Sequence, residues 1–122
     1  MQKWIPFSDI TACGVWHKGK NTLSSLDEAV QTLGENCTII NGGFFNAQNG
    51  TPSSAYSING ADYHTGGNQF GFAFTDEPVM RWSYLRGNAS GFVGAYPMYI
   101  SNGTIIGTGD GQSTSRTILG AA

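Results

Sequence analysis

Charge is scarce in this sequence. Lys and Arg number six and Asp and Glu eight among 122 residues, so charged residues make up 11%, where about 25% is usual for a soluble domain. Six dispersed cations give no basic footprint for nucleic acid and no polybasic patch for a membrane surface. No apolar run approaches the ~20 residues of a membrane span. Met1 to Asp9 has neither the basic flank nor the apolar stretch of a secretory signal. Cysteine is limited to Cys13 and Cys37. One disulfide is possible, a disulfide framework is not, and two ligands would not close a zinc site. Two buried thiols is the simpler reading. There is no P-loop, no dinucleotide fingerprint and no G-x-S-x-G elbow around Ser53, Ser54 or Ser115. No cofactor, metal or serine nucleophile is therefore indicated.

What is present is a chain sized for one domain spanning residues 1–122, with 39% hydrophobic residues, enough to bury a core without disulfides. Its polar surface must come from Asn, Ser, Thr, Gln and Gly. Such surfaces suit neutral hydroxylated ligands such as sugars, and they are equally common on extracellular and phage structural proteins. Eighteen glycines without a repeating period imply many tight turns between short strands.

Trp4 to Val15 reads as an early strand. The clearest helix follows: Ser25 and Glu28 have capping-box spacing, Leu26, Ala29, Val30 and Leu33 share one helical face, and Gly34 is placed to end the helix in a left-handed conformation. Cys37 to Ile40 reads as a buried strand. Ala55 to Ile58 and Ala61 to Tyr63 flank Asn59-Gly60, a strong hairpin signal. Phe70, Phe72 and Phe74 alternate with small residues as in a strand with one aromatic face, and Met80 to Leu85 follows. Tyr96 to Ser101 and Thr104 to Ile106 flank a second hairpin signal, Asn102-Gly103. Arg116 to Leu119 starts another apolar segment. The sum is an α+β fold, one clear helix and mostly antiparallel short strands.

Few residues carry obvious chemistry. In Asn41-Gly42-Gly43-Phe44-Phe45-Asn46 the glycines let the backbone turn sharply and approach a ligand. The Asn side chains can donate to and accept from sugar hydroxyls. Phe44 and Phe45 could support a sugar ring or belong to the core, and local physics alone reads the segment as a structural turn. Arg116, beside Thr117, suits bidentate recognition of a phosphate or carboxylate, against the plainer reading of a surface arginine. His64, between the Asn59-Gly60 turn and Gly66-Gly67, could reach a cleft mouth or be a solvated loop histidine. Asp110, between two glycines, is a turn residue or a site carboxylate. His17 lies in no known catalytic spacing.

Ile40-Asn41-Gly42-Gly43-Phe44-Phe45, then Gly50-Thr51-Pro52-Ser53, then Ile58-Asn59-Gly60, resemble successive blocks of the phosphodiester glycosidase family. Ala95 to Thr104, with Pro97 and the Asn102-Gly103 turn, is similar to a later block, and Arg116-Thr117-Ile118-Leu119-Gly120 to its Arg-Thr-Ala-x-Gly block. Order and rough spacing agree over Thr38 to Gly120. The resemblance implies hydrolysis of a sugar-1-phosphodiester in a glycan or exopolysaccharide, outside the cell or on a virion. It implies Arg116 at the phosphate and Asn41, Gly42, Gly43 and Asn46 around the sugar, and Thr117, Phe44 and His64 are further substrate-binding candidates. Asp110 is a weak candidate for the carboxylate that supports the sugar cation. Family members continue to an Asp-Gly-Gly-Gly-Ser-type motif that does not occur here. The glycosidase-like domain is thus expected to be partial. A companion chain or self-association would cover the Arg116 edge, with no turnover by these residues alone. A non-catalytic carbohydrate-binding or phage structural module of the same fold is the alternative.

Overall fold

The computed structural model describes residues 3–77, 80–95, 100–101, 104–105 and 119. They form an α+β fold: one α-helix, a five-stranded antiparallel sheet and a two-stranded ribbon.

The helix α1, Leu26–Leu33, begins where the Ser25 hydroxyl accepts the Glu28 backbone N–H at 3.1 Å. Asp27 and Glu28 place negative charge in the first turn, complementing the helix dipole. The Glu28 carboxylate pairs with Lys18 at 2.7 Å. That ammonium holds its carboxyl below the usual range, with a smaller contribution from the Ser25 backbone N–H, the reciprocal arm of a capping box. Gly34 ends the helix at φ 89° and ψ 170°. The sign of φ is the one foreseen, but the extended ψ is a glycine-only region distinct from the left-handed helical one. Of the apolar stripe only Ala29 is buried, whereas Leu26 is 61% exposed.

The sheet is built from β1 Tyr56–Ile58, β2 Ala61–His64, β3 Phe70–Phe74, β4 Met80–Tyr84 and β5 Gly91–Gly94, in the order β2-β1-β5-β3-β4. β6 Ile100–Ser101 and β7 Thr104–Ile105 pair with each other. β1 and β2 turn on Asn59 and Gly60 at φ 51° and 78°, the positive values that a two-residue hairpin turn requires.

The two early strands expected from sequence are not strands. Pro6 lacks a ladder N–H, and Phe7–Asp9 forms a 3-10 turn instead. Thr38 to Ile40 carries β-branched residues, yet no strand pairs with this stretch among the described residues. Without a ladder, propensity alone does not make a strand. Conversely β5, to which the sequence reading assigned no element, is the central strand, bonded to β1 and β3. Glycines allow close approach around it: a Cβ on Gly94 of β5 would collide with the Asn68 carbonyl, and one on Gly71 of β3 with the Val93 carbonyl. The thiols are unpaired, and Cys37 is exposed rather than buried.

Register assigns the two faces of the sheet. Ser57 opposes Asp62 and Phe92, Phe92 opposes Ala73, and Ala73 opposes Arg81. This face holds the core of Phe92, Ala73, Ala55 and Ala89, with Leu85 packed on it. Tyr56 and Phe72 both oppose Val93, Phe72 opposes Trp82, and Phe70 opposes Tyr84, which makes the other face aromatic. Over β1 and β5 the aromatic face is covered. Val15 packs at Gly91, Gly42 lies near Val93, and His17 meets Tyr56 and Tyr63.

Candidate functional site

Asp62 opposes Ser57 on the core face; the ladder is irregular beyond that pair, where His64 opposes Tyr56, and Tyr63 stacks on Tyr56 over the aromatic face. On the core face, Ser57, Asp62, His64, Thr65, Leu85 and Arg86 line a cavity of about 170 Å³. The segment after β4 brings Arg86 across to close it. The Arg86 Nε donates to Asp62 Oδ1 at 2.7 Å, and the buried Ser57 hydroxyl donates to the same oxygen at 2.6 Å. The Ser57 hydrogen bond first, and then Arg86, hold the Asp62 carboxyl below its usual range. Both bonds fall on Oδ1, so Oδ2 has no hydrogen-bond partner among the described residues. Arg86 is fixed in turn by Nη1 bonds to the carbonyls of Gly87 and Ala89 at 3.2 and 3.4 Å. It also borders a wider hollow of about 460 Å³ that includes Asn59, Thr75, Asp76, Asn88 and Ser90.

The Asn41 to Asn46 segment and the Gly50 to Ser53 block form one unit. Phe45 bridges Pro52, Asn46 N–H donates to the Thr51 carbonyl at 2.8 Å, and Ser53 N–H to the Phe44 carbonyl at 2.8 Å. Asn46 Oδ1 accepts the Gln48 N–H at 2.8 Å, a turn-forming use of its side chain. A Cβ at Gly43 would sit 2.5 Å from the Gly94 carbonyl oxygen and 2.6 Å from Ser54 Cβ, so only glycine fits. Ser54, itself buried, ties this unit to the loop after β2. Its Oγ accepts the Phe44 N–H at 3.2 Å and the Asn68 amide at 3.0 Å.

The strand directions explain why these pieces meet. β1 and β3 start, and β2 and β5 finish, at the same end of the sheet. Gly43, Phe44 and His64 therefore share that end, although residues 41–46 do not line the Asp62 cavity and Gly42 sits over the aromatic face. Arg116, Thr117 and Asp110 lie outside the described residues.

Sequence reasoning singled out His64 but missed its neighbours. The Asp62-x-His64 spacing after a two-residue turn was the available signal, since period two places both on one face. It also passed over His17, whose Nδ1 lies 3.1 Å from the Tyr56 hydroxyl and whose ring centroid is 4.4 Å from that of Tyr63. Burial, and then Tyr63, push the Tyr56 phenol up. Among the described residues no His, Cys, Asp and Glu cluster could hold a metal ion, and no helix is long and apolar enough to cross a membrane.

Chemically, the cavity offers an ionised carboxylate, oriented by two donors, beside an imidazole. It is suited to support developing positive charge on a bound carbon. It does not resemble a serine-nucleophile site, because the Ser57 hydroxyl donates directly to the carboxylate with no imidazole between them. The arrangement belongs to a small α+β domain with its candidate site at one end of an antiparallel sheet. No protein-family model, curated protein or solved structure matches the chain.

Proposed function

We propose that this chain contributes to hydrolysis of a sugar-1-phosphodiester. Water adds to the anomeric carbon, the bond from that carbon to the phosphate oxygen breaks, and the phosphomonoester leaves with the electron pair. The free sugar is the other product. Phosphate is a good leaving group, so the demand on the protein is to orient the diester and stabilise an oxocarbenium-like carbon. The observation that carries the reading is the Asp62 carboxylate, held by Ser57 and Arg86 at 2.6 and 2.7 Å in a cavity shared with His64. Asp62 supplies the negative charge facing the sugar, and His64 contacts the sugar or its leaving oxygen. Arg116 and Thr117 hold the phosphate, and Asn41 to Phe44 with Asn46 frame the sugar, as the ordered sequence blocks suggest. Asp110 is the competing carboxylate. Activity is expected once residues beyond this chain, in a longer polypeptide or a companion chain, complete the site.

The experiment has two readouts. Titration of the chain with a synthetic sugar-1-phosphodiester should perturb the NMR signals of Asp62, His64 and Arg86. In the completed assembly, release of free sugar should fall by about 10²–10³ in Asp62→Asn, the size typical of losing one stabilising electrostatic group. Full turnover by Asp62→Asn together with loss in Asp110→Asn would transfer the role to Asp110. Absence of both binding and turnover would defeat the proposal. Binding without turnover in any assembly would favour a carbohydrate-binding module. That reading is supported by Asp62 being already charge-matched by Arg86.

A further inference from the structure

The aromatic face is covered over β1, β5 and the Phe74 end of β3, and open around Phe70, Trp82 and Tyr84. There Phe70 is 54% exposed, Trp82 38% and Tyr84 55%. The rings are organised in cross-strand pairs. Phe70 and Tyr84 have centroids 5.1 Å apart, tilted by 54°, and Phe72 and Trp82 are 5.7 Å apart, edge to face at 86°. Pairing of this kind fixes the rings, so this is a rigid surface rather than scattered exposed side chains.

Two further observations say what fits it. The first is charge. Arg81 is the single charged residue in β3 and β4, and register puts it on the core face. There its Nη2 donates to the Arg86 carbonyl at 3.4 Å and to Asn88 Oδ1 at 3.2 Å. The platform itself carries no ionic group, so an anionic polymer finds no cation on it. The second is the rim. Gln69, which precedes β3, donates from Nε2 to the Thr65 carbonyl at 2.8 Å, and its Oε1 lies 3.5 Å from the Tyr84 hydroxyl. Thr65 also lines the Asp62 cavity. An amide and a phenol therefore border the rings at the end of the sheet where β3 starts and β4 finishes.

We infer that this face is a docking platform for a neutral glycan chain. Pyranose rings present C–H faces to Phe70, Trp82 and Tyr84 and hydroxyls to Gln69 and the Tyr84 phenol. Both halves of a sugar, apolar and polar, then find a partner, which an anionic or purely apolar ligand would not. The platform goes beyond the phosphodiester reading and does not depend on it, since it uses none of Asp62, His64 or Arg86.

The test is calorimetric titration of the full chain with three neutral hexasaccharides, cello-, xylo- and maltohexaose, and with oligogalacturonate as the anionic control. At least one neutral oligomer should bind. Tyr84→Ala and Trp82→Ala should each weaken it about tenfold, the loss expected of an aromatic anchor. Trp82→Phe should retain most of the affinity. Tyr84→Ala removes an exposed side chain, so its effect is readable even if Trp82→Ala unfolds. No binding of any neutral oligomer at millimolar concentration would overturn the inference, and so would equal binding by Tyr84→Ala. Concentration-dependent self-association abolished by Tyr84→Ala, without glycan binding, would overturn it in favour of a second copy of the chain. If the platform binds a neutral oligomer while no assembly binds or turns over a sugar-1-phosphodiester, only the phosphodiester reading fails.

Discussion

The sheet and the N-terminal third are held in different ways. In the sheet, Phe92, Ala73, Ala55 and Ala89 are buried, and glycines let neighbouring backbones approach closely. In the N-terminal third, Val15 and His17 reach the sheet, while the helix and its surroundings rely on local devices: the Ser25 cap, the Lys18–Glu28 pair and the turn after Pro6. Its large apolar side chains Trp4, Phe7, Leu23, Leu26 and Leu33 remain exposed. No strand packs extensively against α1 among the described residues. A helix of eight residues is marginal by itself in water. The difference teaches that a readable helix signal is not evidence of a stable one. Capping and periodicity say where a helix starts, while burial decides how firmly it persists.

The comparison is broken most directly by truncating one side chain in each region. Phe92 is the largest fully buried side chain, and Phe92→Ala is expected to cost about 3–5 kcal/mol, read as a fall in the urea midpoint. Leu26→Ala, in the exposed stripe, should stay within about 0.5 kcal/mol. Comparable losses at both would show that α1 is packed in solution. A smaller effect sharpens the picture. Ser25→Ala removes the one side-chain cap of α1 and should cost about 1 kcal/mol. Because that helix is weakly tied to the sheet, the loss should appear as faster amide exchange over residues 26–33, with the sheet amides unchanged. Faster exchange across the whole sheet would mean the two regions unfold together.

The smallest effect concerns acid. Asp62 is held below its ordinary value of 3.8 by Ser57 and Arg86. Its contribution is therefore full above that value and is lost as pH falls through the lower folded one. Asp62→Asn should lower stability by about 0–1 kcal/mol near neutral pH, the range for an exposed pair. The gap to the wild type should close under acid. A gap that persists unchanged at acid pH would mean that Asp62 acts through packing rather than charge.

What could be read in advance follows the same division between local and non-local causes. The Ser25 cap, the Asn59-Gly60 turn and the Phe70, Phe72, Phe74 alternation are short-range signals, and each corresponds to an element. β5 was hidden because Gly91 and Gly94 answer to neighbours elsewhere in the chain, Val15 and Asn68 among them. The expected strands before Val15 and after Cys37 fail for the opposite reason, since apolar and β-branched composition supplies no ladder partner. At the candidate site, His64 was legible from its place between turn residues. Its neighbour Asp62 was not, because the residue that orients it, Arg86, is separated from it by 24 positions. The ordered blocks from Asn41 to Ser53 read as successive motifs in sequence and form one bonded unit in space.

The β1–β2 turn has a consequence for how the site could change over time. Asn59 and Gly60, both at positive φ, fix which residues of β2 oppose β1. Side chains on a strand alternate faces, so a slip of one position exchanges the two sets. In this hairpin the exchange would move Tyr63 into the Asp62 cavity and push the carboxylate and imidazole toward the His17 rings. Inserting or deleting one residue at this turn is therefore not a neutral change of loop length. It swaps a pocket lined by a carboxylate and an imidazole for an aromatic one while leaving every side chain of the strand in the sequence.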